Sequence, residues 1–310
     1  MKRPVPKNMA HSIHQRLLNK AKATGRPFNE LLQYYAMERF LYRLSISSHA
    51  GQFTLKGALM LVVWKVPLAR TTLDIDLLAR MSNRAGDVAE VIRAVCTHPV
   101  EPDGLTFDPD SVQSEPITED ADYAGIRTVV RGHLGNARIS IQVDMGFSDV
   151  AVPEPMECEF PSLLELPAPR LRGYRRETTV AEKYEAMTKL GVLNSRMKDF
   201  YDIWLLGRSF DFDGSLLTEA VLRTFARRGT KIEARPVALT AAFCEDPAKQ
   251  EMWSFFMRRM RLMDAPASLS EVVHAVTSLL EPVAEAITSG KVFRRTWRAP
   301  GPWQDIAPSE

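Results

Sequence analysis

From Leu73 to Leu78 the chain reads Leu-Asp-Ile-Asp-Leu-Leu, with acidic and apolar side chains alternating. A period of two is that of a β-strand, so Asp74 and Asp76 point the same way while Leu73, Ile75 and Leu77 point the other. Two carboxylates held side by side repel each other, and a divalent cation between them relieves that cost. Upstream, Phe53-Thr54-Leu55 is strand-like and runs into Lys56-Gly57-Ala58, where glycine permits a close turn. An apolar helix from Leu59 to Trp64 follows, and Arg70-Thr71-Thr72 leads into the aspartates. Residues 53–80 therefore commit the chain to a strand, helix, strand unit that displays paired acids. An isolated Asp-x-Asp is better explained as an edge strand with solvated acids, so its surroundings decide.

Those surroundings are informative. Ile139, Ile141 and Val143 alternate with Ser140, Gln142 and Asp144, so Asp144 lies on the polar face of a second strand. If that strand neighbours residues 73–78, a third carboxylate joins the pair. The strand is expected to pair with 125–132 through a turn at 132–136. Helices are expected over 9–23, 28–44 and 86–97. Five prolines between 153 and 170 predict an irregular connector. Helices are again expected over 179–190, 194–206, 214–227, 236–245, 247–262 and 268–289. Thr179 and Glu182 have the spacing of a capping box at the start of the first of these. The architecture expected is α/β: N-terminal helices in 1–45, a mixed-sheet core in 46–150, the connector in 151–176, and a helical domain in 177–310.

At 310 residues the chain can bury one large or two ordinary cores, and its formal charge of +2 gives no global argument for a polyanionic partner. Three scattered cysteines fit reduced thiols, the basic N-terminus lacks an apolar signal core, and no apolar run approaches a membrane span. A cytoplasmic protein is expected. The six histidines show no metal-ligand spacing, and no serine sits in a nucleophile elbow. Arginine groups recur in the second half, and Phe293, Trp297 and Trp303 interleave with the last of them. That pattern suits base stacking on a nucleic acid or a solvated helix face about equally.

Taken together, Lys56-Gly57-Ala58 and Arg70-Thr71-Thr72-Leu73-Asp74-Ile75-Asp76-Leu77 resemble the first two motifs of the AbiEii/AbiGii toxin family of nucleotidyltransferases, which includes the MenT toxins. Val180-Ala181-Glu182-Lys183 is similar to the family's lysine motif, and Arg196 to Ile203 to its last motif, in the same order over roughly residues 30–210. One departure stands out: Ala58-Leu59 follows the first glycine where the family usually has a second glycine or a small hydroxyl residue.

The resemblance implies a nucleotidyltransferase-like sheet and a toxin of a type IV toxin–antitoxin system. It implies that Asp74, Asp76 and Asp144 hold Mg²⁺ or Mn²⁺. Lys56, Gly57, Ala58, Arg70, Thr72 and Lys198 are expected to contact a nucleoside triphosphate. Lys183 is expected to neutralise the triphosphate, and Asp199 or Asp202 to position or deprotonate an acceptor hydroxyl. The implied partners are an NTP, a tRNA or other RNA acceptor, and a cognate antitoxin protein, with no membrane. Without the resemblance, Lys183 reads as an ordinary helix lysine, Asp199 and Asp202 as partners of Arg196 and Lys198, and Arg70 as an anion-binding group or an aspartate's partner. A small-molecule nucleotidyltransferase and a non-catalytic nucleotide- or RNA-binding protein remain alternatives.

Overall fold

A computed structural model describes residues 8–67, 70–117, 125–262 and 265–305. The basic tail ahead of Asn8 lies outside the described residues. The chain forms two compact units: Met1–Val63, Thr72–Ser148 and Met156–Gly173 make the first, and Trp64–Thr71, Asp149–Pro155 and Tyr174–Glu310 the second.

The first unit opens with helix α1 (Met9–Thr24), whose N-terminus is capped by the Asn8 side chain accepting from the His11 amide at 3.0 Å. Gly25 ends it in the left-handed region, and Pro27 precedes α2 (Phe28–Ile46). Next come β1 (Phe53–Lys56), the short α3 (Leu59–Val63), β2 (Asp74–Ala79) and α4 (Ala85–Cys96). Strands β3 (Leu105–Ile117), β4 (Gly125–Leu134), β5 (Ala137–Gly146), β6 (Met156–Glu159) and β7 (Arg170–Gly173) complete the unit. The strands form one mixed sheet in the order β3-β4-β5-β2-β1-β7-β6. β2 runs parallel to β5 and β1 parallel to β7, and the other neighbours are antiparallel.

The expected alternation sets the sheet's two faces. Ile139, Ile141, Val143 and Met145 of β5 are buried, and α2 packs against β5 and β7. Leu31, Tyr35, Phe40, Leu41 and Leu44 of α2 lie in that core, where burying each large apolar side chain stabilises the fold by about 1.5–3 kcal/mol. Charges buried with them are paired: Arg43 reaches Asp103 at 2.7 Å, and Arg39 reaches Glu38 at 2.6 Å.

Two parts of the sheet escape the sequence reading. β3 carries Pro109 and Pro116 and shifts register between Asp108 and Gln113, irregularities that an edge strand tolerates. The proline-rich stretch expected to be irregular contributes β6 and β7. Long-range bonds order the segment between them. Glu38 accepts from the Leu163 amide at 2.7 Å, Arg39 donates to the Pro167 carbonyl at 2.7 Å, and Arg16 donates to the Leu164 carbonyl. The predicted turn at 132–136 contracts to Gly135-Asn136, because the pairing continues to Leu134 and Ala137.

The second unit is mainly helical. It contains α5 (Arg176–Leu190), α6 (Met197–Ser209), β8 (Phe212–Asp213), α7 (Gly214–Arg228), α8 (Ala241–Cys244), α9 (Pro247–Met260) and α10 (Leu269–Thr288). β9 (Arg295–Trp297) and β10 (Trp303–Asp305) form a small sheet with β8 in the order β10-β9-β8. α5 begins at Arg176, so Thr179 is a buried residue of its first turns and not the expected cap. The helix expected over 236–245 divides into a 3₁₀ turn at Val237–Leu239 and the short α8.

The C-terminal aromatics do not form a stacking platform. Phe293 and Trp297 are buried, Trp303 meets both rings edge-on, and the two indole N–H groups donate to the Gly207 and Leu279 carbonyls. No described helix is long and apolar enough to cross a membrane.

Candidate active site

Within the first unit, pairing of β2 with β5 places Asp76 directly opposite Asp144 and Asp74 opposite Gln142. One carboxylate oxygen from each of Asp74, Asp76 and Asp144 lies within 4.8 Å of the others, and all three residues are half-buried. The row continues outward in both directions. Lys56 on β1 stands opposite Asp76, and Arg127 on β4 stands opposite Asp144. Across four strands the order is therefore Lys56, Asp76, Asp144, Arg127, with the two adjacent acids flanked by cations.

Asp144 is held firmly. Arg127 Nε donates to its Oδ1 at 3.0 Å and Nη2 to its Oδ2 at 2.9 Å, and Gln142 Nε2 adds a bond to Oδ2 at 3.1 Å. A carboxylate has about four lone-pair sites, so the orientation leaves Asp144 one further contact through Oδ1. Thr72 donates from its hydroxyl to Asp74 Oδ1. Gly57 sits at φ 69°, and a Cβ there would lie 2.6 Å from Cγ and 2.7 Å from Cβ of Asp76. The turn thus requires glycine twice over, for its backbone angle and for the approach of the Asp76 carboxylate. Ala58 and Leu59 are both buried, so the departure from the family's usual pattern is filled by core packing.

A hard divalent cation suits this donor set. Mg²⁺ and Mn²⁺ prefer oxygen ligands, and around an octahedral ion with bonds of about 2.1 Å, ligand oxygens sit roughly 3 to 4.2 Å apart. Small side-chain adjustments bring the three oxygens into that range. Asp74, Asp76 and Asp144 are the residues that would hold such an ion.

The second unit carries a different charged arrangement. Lys183 on α5 reaches Asp199 at 2.7 Å and Asp202 at 2.8 Å, both on α6. Arg70 grips both oxygens of Asp202 at 2.9 Å, and Arg196 reaches Asp199 at 2.7 Å. Asp199 and Asp202 are fully buried. Burial alone would raise their pKa values. The cations outweigh it, Lys183 and Arg196 for Asp199 and Arg70 and Lys183 for Asp202, and both carboxyls are held below the usual range. Burial likewise works against the charge on Lys183, but the two aspartates raise its pKa overall.

Of the residues singled out in the sequence, Lys56, Gly57, Thr72, Asp74, Asp76 and Asp144 gather in the first unit. Arg70, Lys183, Asp199 and Asp202 form one ion network in the second. Arg70 resolves as an aspartate's partner. Asp199 pairs with Arg196 as the plain reading of the helix expected, whereas Lys198 is exposed although Asp202, one turn further on, is buried. Arg127 was missed, although counting back from a two-residue turn at Gly135-Asn136 would have set it opposite Asp144.

The first unit thus presents three convergent carboxylates beside a glycine turn on a mixed sheet. The pattern of the family described as "Nucleotidyl transferase AbiEii toxin, Type IV TA system" matches residues 39–281, and the chain belongs to that family. Among solved structures it is similar to a Helicobacter pylori protein described as a candidate nucleotidyltransferase. The identity is 14%, the TM-score 0.44, and the match covers 84% of this chain and 97% of that one. It is also similar to JHP933 from Helicobacter pylori, at 13% identity and a TM-score of 0.41 over the same shares of the two chains. No curated protein matches the chain.

Proposed function

We propose that this protein is a metal-dependent nucleotidyltransferase that moves a nucleotide from an NTP to an RNA acceptor, tRNA included, and that a cognate antitoxin restrains it. The observation that carries this reading is the convergence of Asp74, Asp76 and Asp144 within 4.8 Å on adjacent parallel strands. Family membership supplies the reaction class and the toxin–antitoxin setting. When bound, Mg²⁺ or Mn²⁺ supplies electrophilic activation of phosphate oxygens and a template for the attacking hydroxyl.

The chain's own contributions follow from the geometry. Asp74, Asp76 and Asp144 offer the oxygens, and Arg127 and Gln142 fix which oxygen of Asp144 is presented. Gly57 lets the turn close on Asp76, and the backbone N–H groups at Gly57-Ala58 are the phosphate contacts proposed there. Lys56 and Thr72 frame the acids from either side. In the reaction, the acceptor hydroxyl oxygen forms a bond to the α-phosphorus and gives its proton to solvent, the bond from the α-phosphorus to the α–β bridging oxygen breaks, and pyrophosphate leaves with that electron pair.

For the second unit the proposal is narrower. Asp199 and Asp202 keep Lys183 protonated, the form in which an ammonium neutralises phosphate oxygens, and Arg70 holds Asp202 in place. Carboxylates tied to several cations are weak bases, so neither is assigned the acceptor's proton.

The test is incubation of the purified protein with each labelled NTP, total RNA and Mg²⁺ or Mn²⁺. Label entering RNA with wild type, and lost with Asp76→Ala, is expected. Equal labelling by both, or labelling that survives chelation of divalent ions, contradicts the proposal.

A further inference from the structure

The face of the sheet that carries the acids continues past them. On β5, Asp144, Gln142, Ser140 and Arg138 share that face, which places Arg138 about 20 Å along the strand from Asp144 at roughly 3.3 Å per residue. On β4 the residues opposite are Arg127, Val129, Arg131 and His133, with Arg131 across from Ser140 and His133 across from Arg138. The polar face of this hairpin thus leads from the carboxylate triplet to an exposed basic end at the Gly135-Asn136 turn.

The arginines at the two ends of this path differ. Arg127 is committed to Asp144. Arg131, His133 and Arg138 are exposed, and no carboxylate among the described residues forms an ion pair with any of them. They line an open cavity of about 400 Å³ together with Asn136 and Asp108. Asp108 faces Arg131 from β3, but its Oδ1 accepts from the Asp110 amide.

We propose that this outer end of the β4–β5 hairpin is a docking site for the phosphodiester backbone of a single-stranded RNA acceptor, whose chain then follows the hairpin's polar face towards Asp144. Guanidinium groups match phosphate oxygens in pairs, and the Asn136 amide and His133 ring add donors. Two arginines against the single carboxylate of Asp108 leave a net charge near +1, which suits the single charge of a phosphodiester better than the double charge of a terminal phosphate. No Phe, Tyr or Trp lines the cavity, so contact there reads the backbone and not the base sequence. The inference rests on the nucleotidyl-transfer reading only for the identity of its ligand as the acceptor. The site itself stands on the unpaired cations and their shared face with the triplet.

Binding of a labelled single-stranded RNA oligonucleotide to the full chain, followed by fluorescence anisotropy over a range of salt, tests it. For R131Q/R138Q the affinity should fall about tenfold. The slope of log K against log salt should drop by about 0.7, the share of the one phosphate that is no longer neutralised. R131K/R138K should retain most of the slope. Thermal midpoints and Mn²⁺ binding should match wild type in both, which excludes misfolding. RNA binding unchanged in R131Q/R138Q overturns the proposal. So does a wild type that binds inorganic phosphate or free NTP through these arginines but not RNA. A wild type that binds RNA here yet labels none leaves this site standing and removes the proposed reaction. Labelling of RNA with an unaltered KM in R131Q/R138Q does the reverse.

Discussion

The two charged clusters of this protein use the same residue types to opposite ends. In the first unit, Asp74, Asp76 and Asp144 are half-buried and converge on one another, with cations flanking the row from neighbouring strands. In the second, Asp199 and Asp202 are fully buried and each faces two cations at ion-pair distance. A carboxylate that converges on other carboxylates has capacity left for an ion. One enclosed by guanidinium and ammonium groups has spent that capacity on the fold. On the proposed function, the difference separates acids available to an ion from acids that hold two helices, the Arg70 segment and the Lys183 ammonium in place.

The largest effect expected is on activity with structure intact. Asp76→Ala should abolish nucleotide transfer, a loss of about 1,000-fold or more, because several kcal/mol of charge stabilisation depends on the bound ion. Its thermal midpoint should change little, since one of three converging acids is lost together with its own partner. A midpoint that falls by many degrees would place Asp76 among the structural acids and collapse the contrast.

Lys183→Met should do the opposite to the fold. It leaves two buried carboxylates with one guanidinium each in place of two cations, and about 3 kcal/mol of stability should be lost in denaturant titration. The pH dependence has a definite sign. Asp199 and Asp202 have lowered folded pKa values, so the stability they contribute is present above the ordinary carboxylate pKa of about 3.9 and is lost as pH falls below it. Lys183 has a raised pKa, so its contribution is present below the ordinary lysine value of about 10.4 and is lost as pH rises through the folded value. In Lys183→Met the acid unfolding midpoint should move to higher pH. An unmoved midpoint would mean that the network carries no linkage.

Gly57→Ala probes the turn that the acids depend on. Its left-handed φ and the overlap with Asp76 should cost about 1–3 kcal/mol and displace the carboxylate, so transfer should fall about 100-fold. Wild-type activity in this variant would show that Asp76 does not need its present position. Arg127→Gln sharpens the same comparison from the other side. With the cation beside Asp144 removed, Mn²⁺ should bind about tenfold tighter in the absence of nucleotide. Weaker binding would make Arg127 essential for presenting Asp144.

Lys198→Ala should matter least. The residue is exposed, and stability should change by no more than about 0.5 kcal/mol. A rise in the KM for NTP with kcat unchanged would support the nucleotide contact that the family resemblance implies for it.

Much of this contrast was legible in the sequence, and the reasons for the gaps are physical. Period-two alternation placed Asp74 and Asp76 on one face and set Asp144 on the polar face of its own strand. The helices were readable because their apolar spacing is local. Strand adjacency is not local, so the partnership of β2 with β5 stayed conditional until the pairing was seen. β3 was hidden by Pro109, Pro116 and its irregular register, and β6 and β7 by the prolines around them, which edge positions and long-range bonds to Arg16, Glu38 and Arg39 accommodate. Arg70 and Asp202 meet across 132 residues, a separation at which no local pattern helps. Arg127 could have been found by counting, had the turn been placed at Gly135-Asn136.

On the proposed function, the first unit's acids hold a divalent cation and the second unit's do not. Mn²⁺ titration followed by electron paramagnetic resonance tests it directly, on wild type, Asp76→Ala and Asp199→Asn. Wild type and Asp199→Asn should bind the ion alike at a folded site, and Asp76→Ala should bind at least about tenfold more weakly while remaining folded. Equal binding by wild type and Asp76→Ala, or loss of binding in a folded Asp199→Asn, would contradict the account.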